Sequence, residues 1–294
     1  MKVPPELLWW GHEPGGASWL EHLPRLVDEC LELWSLQMEG PLDLRLAFVA
    51  AVRLPDGDPA VLKLNKPEAE SAQEGEALRH WGGLGAVYLL GEDVKRSALL
   101  LERCEPGLPL RRLAEPAELA VAADILKGFR RPADTTHPFR LLADLARQWA
   151  REIPERWARL GEPYERTLLD FAIDQIAELA SSATEEVVLH QDLHAENILR
   201  SRRQPWLAID PKPLVGEPAF DAASLLRDRR DELRSDPNAA RTIRRRLDAV
   251  TDLLALDRSR LRGWGVIHAL AWAAGDSDAD RLLVECARLL KATA

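Results

Sequence analysis

The chain has 294 residues, 46% hydrophobic and 30% charged, with a formal net charge of −9 and three scattered cysteines, Cys30, Cys104 and Cys286. This is enough apolar material and length for two lobes. The acidic balance argues against a nucleic-acid partner and suits a small cationic substrate, and the cysteines imply neither a disulfide framework nor a zinc spacing. The N-terminal stretch has no apolar core of signal-peptide length and no later run approaches a membrane span, so a cytoplasmic protein without a membrane partner is expected.

Ser18 is placed to cap a first helix, in which Leu26, Val27, Cys30, Leu31 and Trp34 recur at helical spacing up to a break at Gly40-Pro41. Apolar residues are dense from Leu44 to Leu54, with Arg45 and Arg53 near the two ends. Pro55-Asp56-Gly57-Asp58 then turns the chain into Ala60-Val61-Leu62-Lys63-Leu64, a β-hairpin. An ammonium inside an apolar strand is costly unless paired, so Lys63 is expected to face phosphate oxygens and a carboxylate; the alternative is an edge-strand lysine facing water. Pro67 is expected to open the next helix, where Glu70, Glu74 and Glu76 compete as the lysine's partner. Two short strands follow, Ala86 to Leu90 and Ser97 to Leu101, joined by Gly91-Glu92-Asp93, and Glu102 to Gly107 breaks the pattern.

Beyond that break the periodicity is helical over 118–129, 139–157 and 164–180, with a polar connection at 130–138. Val187-Val188-Leu189 runs into His190-Gln191-Asp192-Leu193-His194-Ala195-Glu196-Asn197, apolar residues resume at Ile198, and Trp206 to Ile209 form a second strand ending on Asp210-Pro211. Strand ends thus present Asp192, Asn197 and Asp210. Phosphoryl transfer needs such a set: a carboxylate to take a hydroxyl proton, and hard oxygen ligands for Mg²⁺ on the nucleotide phosphates, with the base and the amide five positions apart. Two other readings fit the bare residues. His190, Asp192 and His194 alternate and could hold zinc or iron, or the acids could be ordinary strand-end surface residues. The tail reads as three amphipathic helices capped near Asp236, Asp257 and Asp276. Arg241 and Arg244 to Arg246 are expected on a solvated face, and Asp228, Asp231 and Glu232 are candidates to bind a cationic substrate.

His-Gln-Asp-Leu-His-Ala-Glu-Asn, followed by Ile-Asp-Pro-Lys-Pro and Gly-Glu-Pro-Ala-Phe-Asp-Ala-Ala, resembles the aminoglycoside phosphotransferases, in particular their streptomycin 6-kinase and hydroxyurea phosphotransferase branch. The wider family usually has Gly where Gln191 stands and Trp, Leu or Phe where Pro211 stands. The resemblance implies an α+β, protein-kinase-like two-lobed fold: an N-terminal antiparallel-sheet lobe over 1–103 and a mostly helical lobe over 104–294, with ATP between them. It makes Asp192 the base, Asn197 and Asp210 the Mg²⁺ ligands, and Glu74, by its offset from Leu78 and Trp81, the partner of Lys63. The backbone near Arg103 and Glu105 would meet adenine. His190 would brace the loop, and Asp221, which as a bare feature could equally cap a helix, would be a buried acid holding that loop. The implied function is ATP-dependent transfer of the γ-phosphate to a hydroxyl of an aminoglycoside such as streptomycin, conferring antibiotic resistance. Hydroxyurea, a sugar or a choline-like metabolite are alternative acceptors, and a non-catalytic nucleotide-binding protein is the alternative to an enzyme.

Overall fold

The computed structural model describes residues 2–42, 46–68, 72–183, 185–275 and 277–293. Leu44 and Arg45 at the expected strand start, Glu70 and the Asp276 cap lie outside them. The chain divides into two compact units, Met1–Leu108 with Leu199–Ile209, and Pro109–Ile198 with Asp210–Ala294.

The first unit opens with helix α1 (Gly16–Leu33), followed by strands β1 (Gln37–Pro41), β2 (Ala47–Arg53) and β3 (Pro59–Asn65), helix α2 (Glu74–Trp81), and strands β4 (Leu89–Asp93) and β5 (Ala98–Glu102). The strands form an antiparallel sheet of order β1-β2-β3-β5-β4. Alternation along β2 and β3 sends Phe48, Ala50, Val52, Ala60, Leu62 and Leu64 into one core with Trp19, Leu20, Leu23, Val27 and Cys30 of α1. The intervening residues of β3, Val61, Lys63 and Asn65, therefore belong to the opposite face.

Several boundaries differ from the sequence reading for local reasons. The α1 N-cap is Gly15, in a left-handed conformation, and Ser18 lies inside the helix. β1 is a fifth strand that no apolar run announces, because it is a half-exposed edge with a bulge between Met38 and Gly40. Gly91 to Asp93 belong to β4, and the chain reverses at a 3-10 turn, Val94–Arg96, whose first amide cluster is capped by the Asp93 carboxylate accepting from Arg96 N at 3.1 Å. α2 begins at Glu74 rather than Pro67, where buried Ala77, Leu78 and Trp81 supply the helical period.

The second unit contains α3 (Glu115–Phe129), β6 (Arg140–Leu141), α4 (Leu142–Arg159), α5 (Arg166–Leu179) and β7 (Val187–Leu189). β8 (Ile198–Arg200) and β9 (Trp206–Ala208) make a hairpin assigned mainly to the first unit. Then come β10 (Leu214–Gly216), α6 (Pro218–Arg227), α7 (Arg230–Leu233), α8 (Ala239–Leu254), α9 (Arg258–Trp272) and α10 (Asp278–Lys291). β10 lies at the centre of a small sheet, parallel to β6 and antiparallel to β7. α6 is buried along nearly its whole length and packs against α9, itself buried from Gly263 to Leu270, so its polar residues must find protein partners. The tail caps are Asn238 for α8, Asp257 for α9 and Ser277, in a capping box with Asp280, for α10. Asp236 instead accepts from Asn238 N and Thr242 Oγ1.

Arg246 is not on a solvated face. It is 1% exposed, donates from Nε to Glu115 at 2.5 Å and from Nη1 to the carbonyls of Leu226 and Asp228 at 3.2 and 2.7 Å, tying α8 to α3 and to the end of α6. Helical spacing separates it from exposed Arg244 and Arg245, so one member of the run turns inward. Arg246→Ala should cost about 2–4 kcal/mol, because it leaves the Leu226 and Asp228 carbonyls without this donor and Glu115 with Arg245 alone; guanidinium unfolding of the variant against the native chain measures it.

Candidate active site

In the first unit, Lys63 is 6% and Glu74 1% exposed. The ammonium donates to both carboxylate oxygens, at 2.8 and 2.7 Å, and Asn65 Nδ2 donates to Glu74 Oε2 at 3.1 Å. Of the two candidate acids among the described residues, Glu74 is in contact with Lys63 and Glu76 pairs with Arg79 on the helix surface. A buried charge pair of this kind is sustained only by this multiple hydrogen bonding. Arg103 pairs with Glu39 of β1, and Glu105 faces Arg202 at 3.2 Å, so both side chains near the expected adenine contact are engaged elsewhere.

In the second unit, one face of α6 organises the loop after β7. Asp221 in its first turn is fully buried and accepts from His190 N at 2.6 Å and Gln191 N at 2.7 Å. Ser224, one turn on, donates to the Leu193 carbonyl, and Asp228, at the C-cap, accepts from Ala195 N at 2.7 Å. The spacing of three and four puts these groups on one helical face, and they meet the loop in register with its sequence. Burial pushes the Asp221 carboxyl up to about 7, against the two backbone N–H donors, which favour its charged form. His190 is fully buried and its ring stacks on Phe129 at 6.1 Å, while its carbonyl accepts from Asp192 N and Lys212 N at 2.9 and 3.0 Å.

Held in this way, the loop adopts conformations that few residues accept. Gln191 in this loop has a φ of 67°, and Asp210, just after β9, one of 60°, left-handed values that favour glycine. Asn197 Nδ2 donates to the Asp192 carbonyl at 3.0 Å and closes the segment between the acid and the amide.

Asp192 is 8% exposed and faces three basic side chains: Lys212 Nζ at 3.0 Å, Arg227 Nη2 at 3.7 Å and His194 Nε2 at 3.9 Å. Burial acts to raise its carboxyl, but Lys212, His194 and Arg227 together hold it down to about 2. Burial in turn depresses the His194 imidazole. Lys212 and Arg227 were not singled out by the sequence reading. For Lys212 a signal exists, its place two residues past Asp210 in Ile-Asp-Pro-Lys; for Arg227, at the end of a helix, there is none.

Asp228, Asp231 and Glu232 do not stand together as a free acidic patch. Asp228 is spent on Ala195 N and Arg229 N, Asp231 is bound by Arg111 at 2.9 Å, and Glu232 by Arg229 at 2.8 Å. Among the described residues no group of three or more His, Cys, Asp or Glu could hold a metal ion, which leaves the zinc or iron reading without a ligand set. No helix among them is long and apolar enough to cross a membrane.

The fold and the loop together define a class, the kinases of small molecules built on the protein-kinase-like scaffold. The structure superposes on that of aminoglycoside phosphotransferase APH(4)-Ia with a TM-score of 0.65 and 17% identity, over 92% of this chain and 99% of that one. The sequence relatives narrow the class. Streptomycin 6-kinase of Streptomyces glaucescens is 38% identical over 85% of this chain and 81% of its own length, and hydroxyurea phosphotransferase of Kitasatospora aureofaciens is 36% identical over 95% and 82%. With residues 34–279 matching the model of the aminoglycoside/hydroxyurea antibiotic resistance kinases, the chain belongs to that family.

Two outcomes are expected from this geometry. Asp221→Asn retains one acceptor oxygen but turns an amide NH₂ toward a backbone N–H, so it should cost about 1–3 kcal/mol in denaturant unfolding. For Asp192 the folded carboxyl titrates below its ordinary 3.8, so its ionised form adds stability that is present above that value and lost as pH falls through about 2, amounting to ~2 kcal/mol. Unfolding of the native chain and of Asp192→Asn at pH 5 and at pH 2 should show their difference shrinking by that amount.

Proposed function

We propose that the chain is an ATP-dependent O-phosphotransferase that moves the γ-phosphate to a hydroxyl of a cationic aminoglycoside, streptomycin first. The observation that carries this reading is the Asp192 carboxylate, kept ionised beside Lys212 and Arg227 on a loop closed by Asn197. In this reading Asp192 orients the acceptor hydroxyl and takes its proton as the phosphoryl group arrives. Because the carboxyl is weakly basic, proton acceptance falls late in the transfer, when the acceptor oxygen is already bonding to phosphorus.

Asn197 and Asp210 fit a hard divalent cation. The amide nitrogen of Asn197 is engaged by the Asp192 carbonyl, which leaves its oxygen as the ligating atom, and Asp210 supplies a carboxylate. Such a cation, Mg²⁺ in this reading, would neutralise charge on the nucleotide phosphates. Lys63, steadied by Glu74 and Asn65, would add a fixed positive charge for nucleotide phosphates, and the backbone near Arg103 and Glu105 would meet the adenine. We assign nucleotide phosphate contacts mainly to residues 1–103, and the catalytic loop with the acceptor to 104–294.

The relatives named for streptomycin and for hydroxyurea are similarly close to this chain, so the choice of acceptor rests on charge. A protein of net charge −9 attracts a guanidinium-bearing aminocyclitol and gains nothing with neutral hydroxyurea. Incubation with Mg-ATP and a panel of aminoglycosides, hydroxyurea, choline and sugars, read by mass spectrometry, should show one added phosphate on streptomycin. Phosphate on hydroxyurea and on no aminoglycoside would replace the acceptor and keep the kinase; no product on any member would favour a nucleotide-binding protein.

Asp192→Asn should lower kcat by about 10²–10⁴-fold with Mg-ATP binding nearly intact. In calorimetric titrations Asp210→Ala should weaken Mg-ATP more than Asn197→Ala, since it removes a full charge from the cation; unchanged affinity in both variants would remove these residues from the metal site.

A further inference from the structure

The two strong cations that face Asp192 are held in different ways. Arg227 is 7% exposed; its Nε donates to His268 Nδ1 at 2.9 Å, and its guanidinium lies 5.0 Å from the centroid of the Trp272 ring. His268 is itself fully buried, hydrogen-bonds the backbone of Gln191 and meets the Phe220 ring at right angles, 5.2 Å between centroids. Arg227 is therefore held at its Nε and on its flat face, with its buried Nη2 3.7 Å from Asp192. Lys212 differs. Its backbone is anchored, following Pro211 and donating its N–H to the His190 carbonyl, but its side chain carries a point charge on a flexible four-carbon stem. Its ammonium donates to Asp192 Oδ2 at 3.0 Å and lies 5.2 Å from the Trp272 centroid, and the side chain is 16% exposed.

One fixed and one movable cation on a single carboxylate is more than an ion pair requires. The fixed one can keep Asp192 in place after the movable one has gone. We propose that Lys212 is a second catalytic residue, whose ammonium swings from Asp192 to the phosphoryl group as that group passes to the acceptor, while Arg227 remains as the positioning residue for Asp192. This rests on the phosphotransferase reading above. In the step, the acceptor oxygen bonds to the γ-phosphorus and the bond from that phosphorus to the β–γ bridging oxygen breaks, its electron pair leaving with ADP. The hydroxyl proton goes to Asp192. Lys212 stays protonated throughout and interacts with the equatorial phosphoryl oxygens, where charge is spread in the transition state.

The test compares the affinity of the native chain, Lys212→Met and Lys212→Arg for MgADP alone and for MgADP with aluminium fluoride, a mimic of the group in transit, by calorimetry. Lys212→Met should bind MgADP within about twofold of the native chain but lose about 10–100-fold for the aluminium fluoride complex, because the lost contact is made only in transit. Its kcat should fall by about 10²–10³-fold with KM for ATP little changed, and Lys212→Arg should recover part of both losses. If Lys212→Met does not fold, Lys212→Gln, which can still donate to Asp192, supports the same comparison. Equal losses for both ligands, or none for either, would overturn the role of Lys212 and leave the kinase reading standing. A native chain whose MgADP affinity does not tighten with aluminium fluoride would overturn both.

Discussion

The carboxylate of Asp221, buried at the start of α6 and shared between the amides of His190 and Gln191, is the contact on which the rest of the site depends. A loop rich in polar groups cannot be buried unless its backbone finds partners. β7 ends at Leu189, so from His190 onward no sheet supplies them. α6 does so instead, through Asp221, Ser224 and Asp228 in succession along one face. The helix can present that face because α9 packs against it and buries its apolar residues.

What this arrangement achieves is to hold a carboxylate in a conformation and an electrostatic setting it would not adopt alone. Gln191 in a left-handed backbone conformation stores strain of about 1–3 kcal/mol, tolerable when the two short hydrogen bonds that Asp221 accepts from His190 N and Gln191 N fix the peptides around it. Asp192 then lies beside two cations that offset the burial which would otherwise neutralise it. The same helix that binds the loop at its start ends on Arg227, so a single element sets both the backbone and the charge around Asp192.

Much of the fold was legible because its elements follow apolar period: the β2–β3 hairpin, α3 to α5 and the strand pair around Asn197 all announce themselves by spacing. β1 did not, since an exposed edge strand of Gln, Met, Glu, Gly and Pro has no buried face to pattern. The inward turn of Arg246 was equally hidden, because a triplet of arginines looks the same whichever one turns into the core. At the site, Asp192, Asn197, Asp210 and Asp221 could be picked out by a motif local in the sequence. Lys212 has a local signal in its place two residues past Asp210, but Arg227 and His268 have none: their meeting depends on how α6 and α9 pack, and a lone histidine amid Gly, Val, Ile and Ala reads as plain core. Asp231 and Glu232 show the converse. In the structure both are exposed and both pair with arginines close at hand.

Hydrogen exchange at single amides tests most directly whether α6 holds the loop after β7. If it does, the amides of His190, Gln191 and Ala195 exchange only as slowly as those in the middle of α6, because opening them requires losing the helix from its place. Fast exchange at these three amides, with α6 still protected, would show that the loop moves independently of the helix and would contradict the account.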